Sequence, residues 1–466
     1  MEHQLDLFDA LYEDFKFDTN KPLRVGELFS GIGFQSMGME LAEIPYEVVA
    51  ISEIDKFAIL AYASIHTDYL KVRDDYDFQL SKEEMVDMLQ RKNVDVRPST
   101  NIERVKDFWL ADKLSNNLGD TSLLKGDDFP KDSDVMTYSF PCTDLSKAGQ
   151  QAGLGKGTRS GLVYEVLRIL QELKEINNLP KMPIMENVVD LIQAKFVKQW
   201  QGIQQEIEKL GYVNYQQTLN AKEYGIAQNR DRVFMVSILG EYNYNFPKGF
   251  ELEYRLKNYL EDEVDDKYYL SDAMYGYLNS EHEKFSRKEV FERNIKGRED
   301  DIAATITTRE TNVPTSTFID MDLVEDNYLL IPEATTRGYK EAYEGDGVYI
   351  NRAHQKRGVV QKGMIQTLKT SGNDVGMVAT NENGLRIRKL TPRETGRLMG
   401  MQDCQINKQN EVTSNAQMYK QHGNGIVAQV IGLIIGMAYY DDENELREKV
   451  ITNSHMWIKE KGEMNE

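Results

Sequence analysis

Strand-like apolar runs alternate with amphipathic helical patterns in the first half of the chain. Strand patterns occur in LRVGELFSGIGF (23–34, where the strand passes into a glycine turn and a helix), EVVAISEID (47–55), DVMTYSF (134–140), PKMPIMENV (180–188) and RVFMVSIL (232–239). Helical patterns occur in GLVYEVLRILQELKEI (161–176) and VKQWQGIQQEIEKLGY (197–212). This alternation predicts an α/β fold in which a parallel sheet carries helices on both faces.

Breaks in the alternation predict the domain organisation. Residues 1–20 are acidic and are expected to form a loosely held N-terminal arm. The main α/β domain is expected at 21–245, with a charged helical insertion or lid at 67–118. Residues 246–385 are irregular and turn-rich, which predicts a smaller second domain, and the helical patterning of 386–466 is expected to return to the first domain.

Composition narrows the class of protein. A chain of 466 residues has room for two or three domains. Its two cysteines, Cys142 and Cys404, exclude a disulfide scaffold, and the lack of a C-x-x-C pair argues against a structural zinc site. The apolar run VIGLIIGMAYY (430–440) is too short to span a bilayer and predicts a buried helix. With no stretch resembling a signal peptide, these features predict a protein of a reducing compartment, the cytoplasm.

Charge is unevenly distributed along the chain. The net charge is −20, which argues against a general nucleic-acid coat protein. Residues 351–400 nevertheless hold ten Lys or Arg and three acids. A basic face there is compatible with binding a phosphate backbone, and an ordinary solvated surface is the alternative.

The first strand–helix turn has features of a nucleotide site. Gly31 and Gly33 let the backbone turn tightly and approach a ligand. Ser36 stands where a dinucleotide fingerprint has its third glycine, so the pyrophosphate signature is incomplete. Glu53 ends the next strand, 22 positions after Gly31, where an acid can accept hydrogen bonds from both hydroxyls of a ribose. The pair favours an adenosine-containing ligand, and a plain structural turn is the alternative.

A rare thiol and a strand-end acid are expected at one edge of the sheet. Pro141 breaks its strand, so Cys142 lies at the carboxyl edge, ahead of a loop with many glycines. That position suits a nucleophile over which a loop closes, although buried cysteines are more often structural. Glu186 ends a neighbouring strand at the same edge and could donate or share a proton, with Asn187 orienting it.

Alternating polar residues precede the last strand of the series. Gln228, Arg230 and Arg232 have a period of two, which places them on one face of a strand. Two fixed cations there could bind a phosphate, hold Glu186 or contact a base carbonyl, and surface charge is the alternative.

Taken in order, these segments resemble the DNA (cytosine-5)-methyltransferase family of bacteria and phages. Nine motifs follow in the family's order: FSGIGF (29–34), Glu53, GDT (119–121), SFPCTDLS (139–146), RSGL (159–162), ENV (186–188), QNRDR (228–232), IRKLTPRETGRLMG (387–400) and QHGNGIVAQVIG (421–432). The resemblance implies a Rossmann-like methyltransferase sheet, S-adenosylmethionine as cofactor, double-stranded DNA as partner and a monomer. A cognate restriction endonuclease is a further implied partner.

The resemblance assigns residues to the cofactor by motif. The residues implied to hold S-adenosylmethionine are Phe29, Ser30, Gly31, Ile32, Gly33, Phe34, Glu53, Ile54, Asp120, Thr121, Pro141, Leu162 and Asn424. Within this set Glu53 would bind the ribose and Ile54 would lie beside the adenine. Asp120 would accept from the adenine amino group.

The resemblance also implies the chemistry. Cys142 would add to carbon 6 of a cytosine flipped out of the duplex, so that carbon 5 can accept the methyl group. Glu186 would bind ring nitrogen 3, Arg232 would hold the carbonyl at position 2 and orient Glu186, and Arg230 would lie near the same site. The loop 147–161 would close over the base. Ser146 and Arg159 would contact phosphates.

Some features depart from the family pattern or leave alternatives open. Thr143 follows the cysteine where the family usually has glutamine, which changes the expected contacts of the loop with DNA. Residues 246–385 would be the target-recognition domain, and Thr367 and Leu368 resemble its threonine–leucine pair. A tRNA cytosine methyltransferase and a DNA-binding relative without activity are the alternatives. A nicotinamide-dependent enzyme is disfavoured by Ser36.

Overall fold

A computed structural model describes most of the chain as two compact units. The described residues are 12–141, 154, 160–269, 295–296, 318–319, 328–335, 338–350, 355, 357–370, 372, 374–381 and 384–456. The larger unit comprises Met1–Ile226, Arg230–Glu253 and Gly396–Glu466, and the smaller unit comprises Ala227–Asn229 and Tyr254–Thr395.

Strands and helices are numbered in chain order. The strands are β1 (Leu23–Leu28), β2 (Tyr46–Ser52), β3 (Val135–Tyr138), β4 (Met182–Asn187), β5 (Tyr212–Asn220), β6 (Gln228–Asn229), β7 (Asp231–Leu239), β8 (Ile295–Lys296), β9 (Phe318–Ile319), β10 (Tyr328–Pro332), β11 (Tyr339–Tyr343), β12 (Gly347–Tyr349), β13 (Val360–Gln361), β14 (Ile365–Gln366), β15 (Val375–Asn381) and β16 (Gly384–Lys389). The helices are α1 (Phe34–Leu41), α2 (Lys56–His66), α3 (Tyr69–Val72), α4 (Lys82–Arg91), α5 (Ile102–Leu114), α6 (Val163–Glu175), α7 (Val197–Glu208), α8 (Pro392–Arg397), α9 (Asp403–Val412), α10 (Asn415–Asn424), α11 (Ala428–Met437) and α12 (Glu443–Ser454).

The larger unit is built on a mixed sheet of strand order β2-β1-β3-β4-β7-β5. The pairs β1–β2, β1–β3 and β3–β4 are parallel, as the sequence predicted. The β4–β7 and β5–β7 pairs are antiparallel, so the expectation of an all-parallel sheet is wrong at this edge. Only ten residues separate β5 from β7, which is fewer than a parallel crossover needs.

Helices cover both faces of this sheet, as predicted. Met136, Met185 and Met235 lie in one apolar cluster with side chains of α6 and α7. On the opposite face, the Glu27 carboxylate accepts a hydrogen bond from Ser36 of α1 at 2.6 Å. The α11 helix contacts α1 and is almost entirely buried, which confirms the interpretation of the apolar run 430–440 as a buried helix.

The loosely held arm predicted at 1–20 is wrong for residues 12–20, and residues 1–11 lie outside the described part of the chain. Phe15 and Phe17 are buried, and their N–H groups donate to the carbonyls of Asn243 and Ala438 at 2.8 and 2.9 Å. Lys16 Nζ lies 3.1 Å from the carbonyl oxygen of Met437, at the C-terminal end of α11. The acidic composition concealed an alternation of two buried aromatic side chains around one lysine.

The charged segment 67–118 folds onto α2 instead of forming a separate lid. Leu89 of α4 and Phe108 of α5 share an apolar cluster with Leu60 of α2. Lys92 Nζ donates to Asp112 Oδ2 at 2.5 Å and to the Asn117 carbonyl at 2.6 Å. These bonds join the end of α4 to α5 and to Asn117, two residues before the GDT motif. The helices of this segment therefore support the backbone that leads into the motif.

The smaller unit is mostly β structure. Strands β13-β12-β15-β16 form a sheet, β10 and β11 form a hairpin, and Leu329, Val348 and Val378 lie in its core. The strand β6 pairs in parallel with β14, although β6 lies more than a hundred residues earlier in the chain. Among the described residues, no helix is long and apolar enough to cross a membrane.

Candidate functional site

The turn between β1 and α1 has the left-handed backbone that the sequence predicted. Phe29, Gly31 and Gly33 have φ values of 55°, 56° and 80°. A Cβ at Gly33 would overlap the rings of His66 and Tyr62, whereas a Cβ at Gly31 would project into open space. Gly31 therefore forms a cradle in which the backbone is bare toward the space above the turn.

Glu53 is fixed over that cradle by backbone donors. Its Oε2 accepts from Gly31 N at 2.9 Å, and its Oε1 accepts from Ile54 N and Asp55 N, each at 2.8 Å. Burial raises the pKa of the Glu53 carboxyl, against the opposite effect of these three N–H groups. A carboxylate has about four acceptor positions, so Oε2 keeps one for a ligand hydroxyl.

The GDT motif is joined to the end of β2 by hydroxyl groups. Ser52 Oγ donates to the Gly119 carbonyl at 2.6 Å and lies 2.7 Å from Thr121 Oγ1. Asp120 accepts from Asn93 Nδ2 at 2.6 Å and from the backbone N–H of Ser122 at 2.8 Å. The GDT motif is thus held against Ser52, the residue before Glu53, and the assignment of Asp120 and Thr121 to the cofactor stays a prediction.

Asn117 is a residue of this candidate site that sequence reasoning missed. It is 2% exposed, and its Oδ1 accepts from both Glu53 N at 3.0 Å and Gly119 N at 3.1 Å. Its Nδ2 donates to the Glu53 carbonyl at 3.0 Å and to Asp112 Oδ1 at 2.8 Å. An asparagine two residues before a Gly-Asp turn was the available signal, because such side chains often bond to nearby backbone.

Apolar side chains complete this edge. Ile54 is 45% exposed beside Glu53, so its side chain offers an apolar surface at this edge. Asn424 is exposed at the end of α10, and Leu162 is half-buried ahead of α6. A Cβ at Gly425 would overlap the Phe34 ring, so the end of α10 packs directly on the first residue of α1.

The residues at this edge fit an adenosine-containing cofactor. Gly31 leaves room, Glu53 offers a fixed acceptor and Ile54 offers an apolar surface. Among the described residues, the buried Ser30 Oγ has no hydrogen-bond partner, which leaves a hydroxyl in the same turn for further bonding. The described part of the chain contains no cluster of metal-binding side chains.

A buried ion pair forms where β4 ends and β7 begins. Arg232 Nε lies 3.0 Å from Glu186 Oε1, and Ser139 Oγ donates to Glu186 Oε2 at 2.9 Å. The Glu186 and Arg232 side chains are 8% and 17% exposed. The antiparallel register pairs Asn187 with Val233, which brings the start of β7 to the carboxyl edge of β4. In a parallel strand, Arg232 would lie at the opposite edge, about 20 Å away.

The segment that leads to Cys142 is fixed at each of its three residues. Ser139 donates to Glu186, and Ser160 Oγ donates to the Pro141 carbonyl at 2.8 Å. Asn187 Nδ2 donates to the Phe140 carbonyl at 3.0 Å, so Asn187 holds this segment and does not orient Glu186 as expected. The predicted Cys142, Ser146 and Arg159, with Thr143, lie outside the described residues, as does most of the loop 147–161.

Arg230 has a different position from the one that its spacing predicted. The side chain is 2% exposed, and its Nη2 donates to the carbonyls of Gly423 and Gly425 at 3.2 and 2.7 Å. Arg232, in contrast, pairs with Glu186. The two arginines therefore serve different groups, because the one-face rule applies to regular strands and Arg230 lies between β6 and β7.

The basic segment 351–400 contains internal ion pairs. Arg388 forms two hydrogen bonds with the fully buried Glu394, at 2.8 and 2.7 Å, and Arg397 pairs with Asp403 at 2.7 Å. Arg388 and Arg397 are only 2% and 4% exposed. The sequence count of ten cations thus overstates the charge that this segment offers to a phosphate backbone.

Thr367 and Leu368 lie beside β6 in the smaller unit. Thr367 Oγ1 donates to the Asn229 carbonyl at 2.8 Å, and the Leu368 N–H donates to Gln228 Oε1 at 3.1 Å. Leu368 is 3% exposed. The pair secures the junction of β6 and β14, with the Leu368 side chain in the core of the unit.

Comparisons with known proteins give one consistent family. The profile described as C-5 cytosine-specific DNA methylase matches residues 23–91 and 89–438. The type II methyltransferase M2.ScrFI of Lactococcus lactis subsp. cremoris is 31% identical over 420 residues, covering 88% of this chain and 97% of that protein. The orphan methyltransferase M.SssI of Spiroplasma monobiae is 36% identical over 273 residues, covering 55% of this chain and 69% of that protein. The crystal structure of S. pombe Dnmt2 methyltransferase superposes with a TM-score of 0.49 and 20% identity, over 89% of this chain and 98% of the other.

Proposed function

The chain belongs to the C-5 cytosine-specific DNA methylase family, and on that premise we propose which of its residues carry the reaction. It is an S-adenosylmethionine-dependent DNA (cytosine-5)-methyltransferase. One observation supports the assignment of the residues: the buried pair of Glu186 and Arg232 lies at the carboxyl edge of the sheet, bonded through Ser139 to the segment that leads to Cys142.

Cys142 is the proposed nucleophile. Its thiolate adds to carbon 6 of the cytosine, the electron pair of the C5–C6 double bond forms a C4–C5 double bond, and the C4–N3 pair moves onto ring nitrogen 3. The resulting enamine is nucleophilic at carbon 5. After carbon 5 has gained the methyl group, a base removes the C5 proton, the C5–C6 double bond reforms and the sulfur leaves. Carbon 6 cannot be reached inside a duplex, so the base is flipped out at a cost of a few kcal/mol.

Glu186 and Arg232 prepare the ring for this addition. Glu186 is proposed to donate a hydrogen bond or proton to ring nitrogen 3, where negative charge develops. Arg232 is proposed to bind the carbonyl at position 2 and to hold Glu186 through the 3.0 Å contact. Ser139 fixes the second oxygen of the carboxyl group.

S-adenosylmethionine, when bound, supplies the methyl group. The turn 29–34 would lie under it, Glu53 would accept from a ribose hydroxyl, and Ile54 would cover one face of the adenine. Asp120, Thr121, Pro141, Leu162 and Asn424 are proposed to complete the pocket.

The remaining proposals concern DNA and the cellular setting of the enzyme. Ser146 and Arg159 are proposed to contact phosphates, and the smaller unit is proposed to read the target site. A cognate restriction endonuclease is proposed as a partner because the relative M2.ScrFI is described as a type II methyltransferase. The chain is proposed to act as a monomer in the cytoplasm.

Methylation of defined substrates tests this proposal. Purified protein is incubated with unmethylated duplex DNA or with tRNA in the presence of S-adenosylmethionine, and the products are sequenced after bisulfite treatment. We expect 5-methylcytosine in one sequence context of the DNA. Methylation confined to tRNA would replace the DNA assignment, and no methylation of either would indicate an inactive relative.

A trapping experiment tests the nucleophile. A duplex with 5-fluorocytosine at the target cannot lose a proton from carbon 5, so the covalent complex is expected to survive denaturing electrophoresis. Cys142→Ser should give no complex while retaining binding to the same duplex. Methylation by Cys142→Ser at the parent rate would overturn the assignment.

A further inference from the structure

Arg230 connects two parts of the larger unit that carry different functions. Its backbone N–H donates to Asn220 Oδ1 at 3.3 Å, and its carbonyl accepts from Ala221 N at 3.1 Å, so the main chain is fixed. From there the buried side chain reaches the end of α10, where it donates to the carbonyls of Gly423 and Gly425.

The end of a helix is a natural partner for a buried guanidinium. The last carbonyls of a helix lack partners within the helix and carry a partial negative charge. Arg230 satisfies two of them with one planar, permanently charged group. Both bonds are donated by the terminal nitrogen Nη2, and a lysine at this position would place its nitrogen one bond short of it.

This helix end borders the cofactor edge of the sheet. Asn424 stands between the two bonded carbonyls, and Gly425 packs on Phe34, the residue that ends the glycine turn. Lys420 Nζ and Gln421 Nε2 also bind the start of α2, at Asp55 Oδ2 (2.5 Å) and the Phe57 carbonyl (2.9 Å). A shift of the helix end would therefore move Asn424 and free the Phe34 ring.

We propose that Arg230 is a positioning residue for the cofactor, acting through the helix end 423–425 and not on the flipped base. This inference rests on the proposed function of Asn424 and the turn 29–34. Arg230 lies immediately before β7, the strand that carries Arg232. The start of β7 thereby carries one arginine that contacts the base and follows another that positions one wall of the cofactor pocket. The two arginines therefore have different roles: Arg232 contacts the cytosine, and Arg230 positions a wall of the cofactor pocket.

Binding of S-adenosylhomocysteine without DNA tests the proposal, because this readout excludes the base. We expect Arg230→Lys to weaken binding about tenfold or more, measured by calorimetry. Arg232→Lys should bind S-adenosylhomocysteine with an affinity within about twofold of the parent, although it no longer methylates DNA. Arg168→Lys, on the surface of α6, is the matched control and should leave both binding and activity unchanged.

A double-mutant cycle identifies the route. If Arg230 acts through Asn424, then Arg230→Lys should change the affinity less than about twofold in an Asn424→Ala background. A full tenfold effect in that background would overturn the proposed route. Arg230→Gln, which keeps an N–H donor, serves as a second variant, and each protein is measured at a temperature where its melting curve shows the folded state.

The outcomes separate this inference from the proposed function. If the parent protein neither binds the cofactor product nor methylates DNA, the function itself fails. Suppose instead that the parent binds S-adenosylhomocysteine and methylates DNA, whereas Arg230→Lys binds S-adenosylhomocysteine normally but cannot methylate. Arg230 then acts at the base, and the inference is wrong.

Discussion

The side-chain amide of Asn117 binds both backbone polar groups of Glu53. Oδ1 accepts from Glu53 N, and Nδ2 donates to the Glu53 carbonyl, both at 3.0 Å. The side-chain amide thus pairs with the backbone of Glu53 as the backbone of a neighbouring strand would. This pairing fixes the position of the Glu53 carboxylate.

Replacing Asn117 by alanine should weaken cofactor binding. The change leaves backbone groups of Glu53 and Gly119 without this partner, at about 1–3 kcal/mol for each buried group. We expect S-adenosylhomocysteine to bind at least about tenfold more weakly by calorimetry. Val105→Ala, in the core between α4 and α5, should lower the melting temperature without changing this affinity. Normal affinity in Asn117→Ala would contradict the role assigned to Glu53.

Gly31 offers a second test of the cofactor edge. Gly31→Ala places a methyl group in open space at a φ of 56°, so the folded chain should lose only about 1–2 kcal/mol of stability. The same methyl group would occupy the cradle, and binding of S-adenosylhomocysteine should fall by at least about a hundredfold. Gly202→Ala, at an open position within α7, should leave binding unchanged and raise stability by about 1 kcal/mol. Equal binding by the two variants would exclude the cradle as a ligand site.

Glu186→Gln separates orientation from proton donation. Glutamine can still accept from Arg232 through its oxygen and donate through Nε2 to Ser139 Oγ, but it cannot supply an acidic proton to the ring. We expect the single-turnover methylation rate to fall about 10²–10⁴-fold, with duplex and cofactor affinities near those of the parent. Ser139→Ala, which removes only one bond to the same carboxyl group, should cost much less. A rate within threefold of the parent for Glu186→Gln would remove Glu186 from the chemistry.

His422 should make the stability of the protein fall in mild acid. Burial lowers the pKa of His422 to about 3, against about 6.5 in an unfolded chain. The stability due to the neutral ring is complete above pH 6.5 and is lost as the pH falls toward 3, because the unfolded state binds the proton more strongly. The slope is about 1.4 kcal/mol per pH unit.

Denaturant titrations at several pH values measure this effect. Between pH 6.5 and 5 the free energy of unfolding should fall by about 2 kcal/mol more in the parent than in His422→Gln, which does not titrate. Parallel curves for the two proteins would show that the ring is protonated equally in both states.

Glu27 predicts a dependence of opposite sign. Burial raises the pKa of this fully buried carboxyl, so the folded state holds its proton more tightly than the unfolded state does. Stability should therefore decrease as the pH rises from the unfolded value toward the folded one. Glu27→Gln should be less sensitive to pH across that range, provided that Ser36 keeps its hydrogen bond. A parent curve that rises with pH over the same range, relative to the variant, would refute the assignment.

Hydrophobic patterning located most strands of the sheet and two helices that cover it, but it missed β5. It located β1, β3, β4, α6 and α7 because each has a continuous apolar face. It could not give the direction of β7, since a strand pattern is the same in both directions. The direction depends on the length of the connection from β5, and it decides that Arg232 meets Glu186.

The candidate site was predictable to different degrees. Gly31 and Glu53 could be recognised from the sequence, because a tight turn with positive φ favours glycine and a hydrogen-bond acceptor at a strand end favours an acid. Ser139 and Asn117 act through hydrogen bonds to partners 47 and 64 residues away, and no local pattern records such pairs. Arg230 was misplaced for a related reason: its partners at the end of α10 lie almost two hundred residues later.

The pairing of β6 with β14 has a consequence for exchanging the smaller unit, which is proposed to read the target site, between relatives. A transplant of 254–395 alone would leave the recipient's own Ala227–Asn229 to meet a foreign Ile365–Gln366, together with a foreign Thr367. A chimera should therefore carry both pieces, the long insert and the distant tripeptide. A natural exchange of this unit between relatives would have to replace both Ala227–Asn229 and Tyr254–Thr395 at once. Alternatively, the relatives would have to share the same short tripeptide, so that each exchanged unit could pair with it.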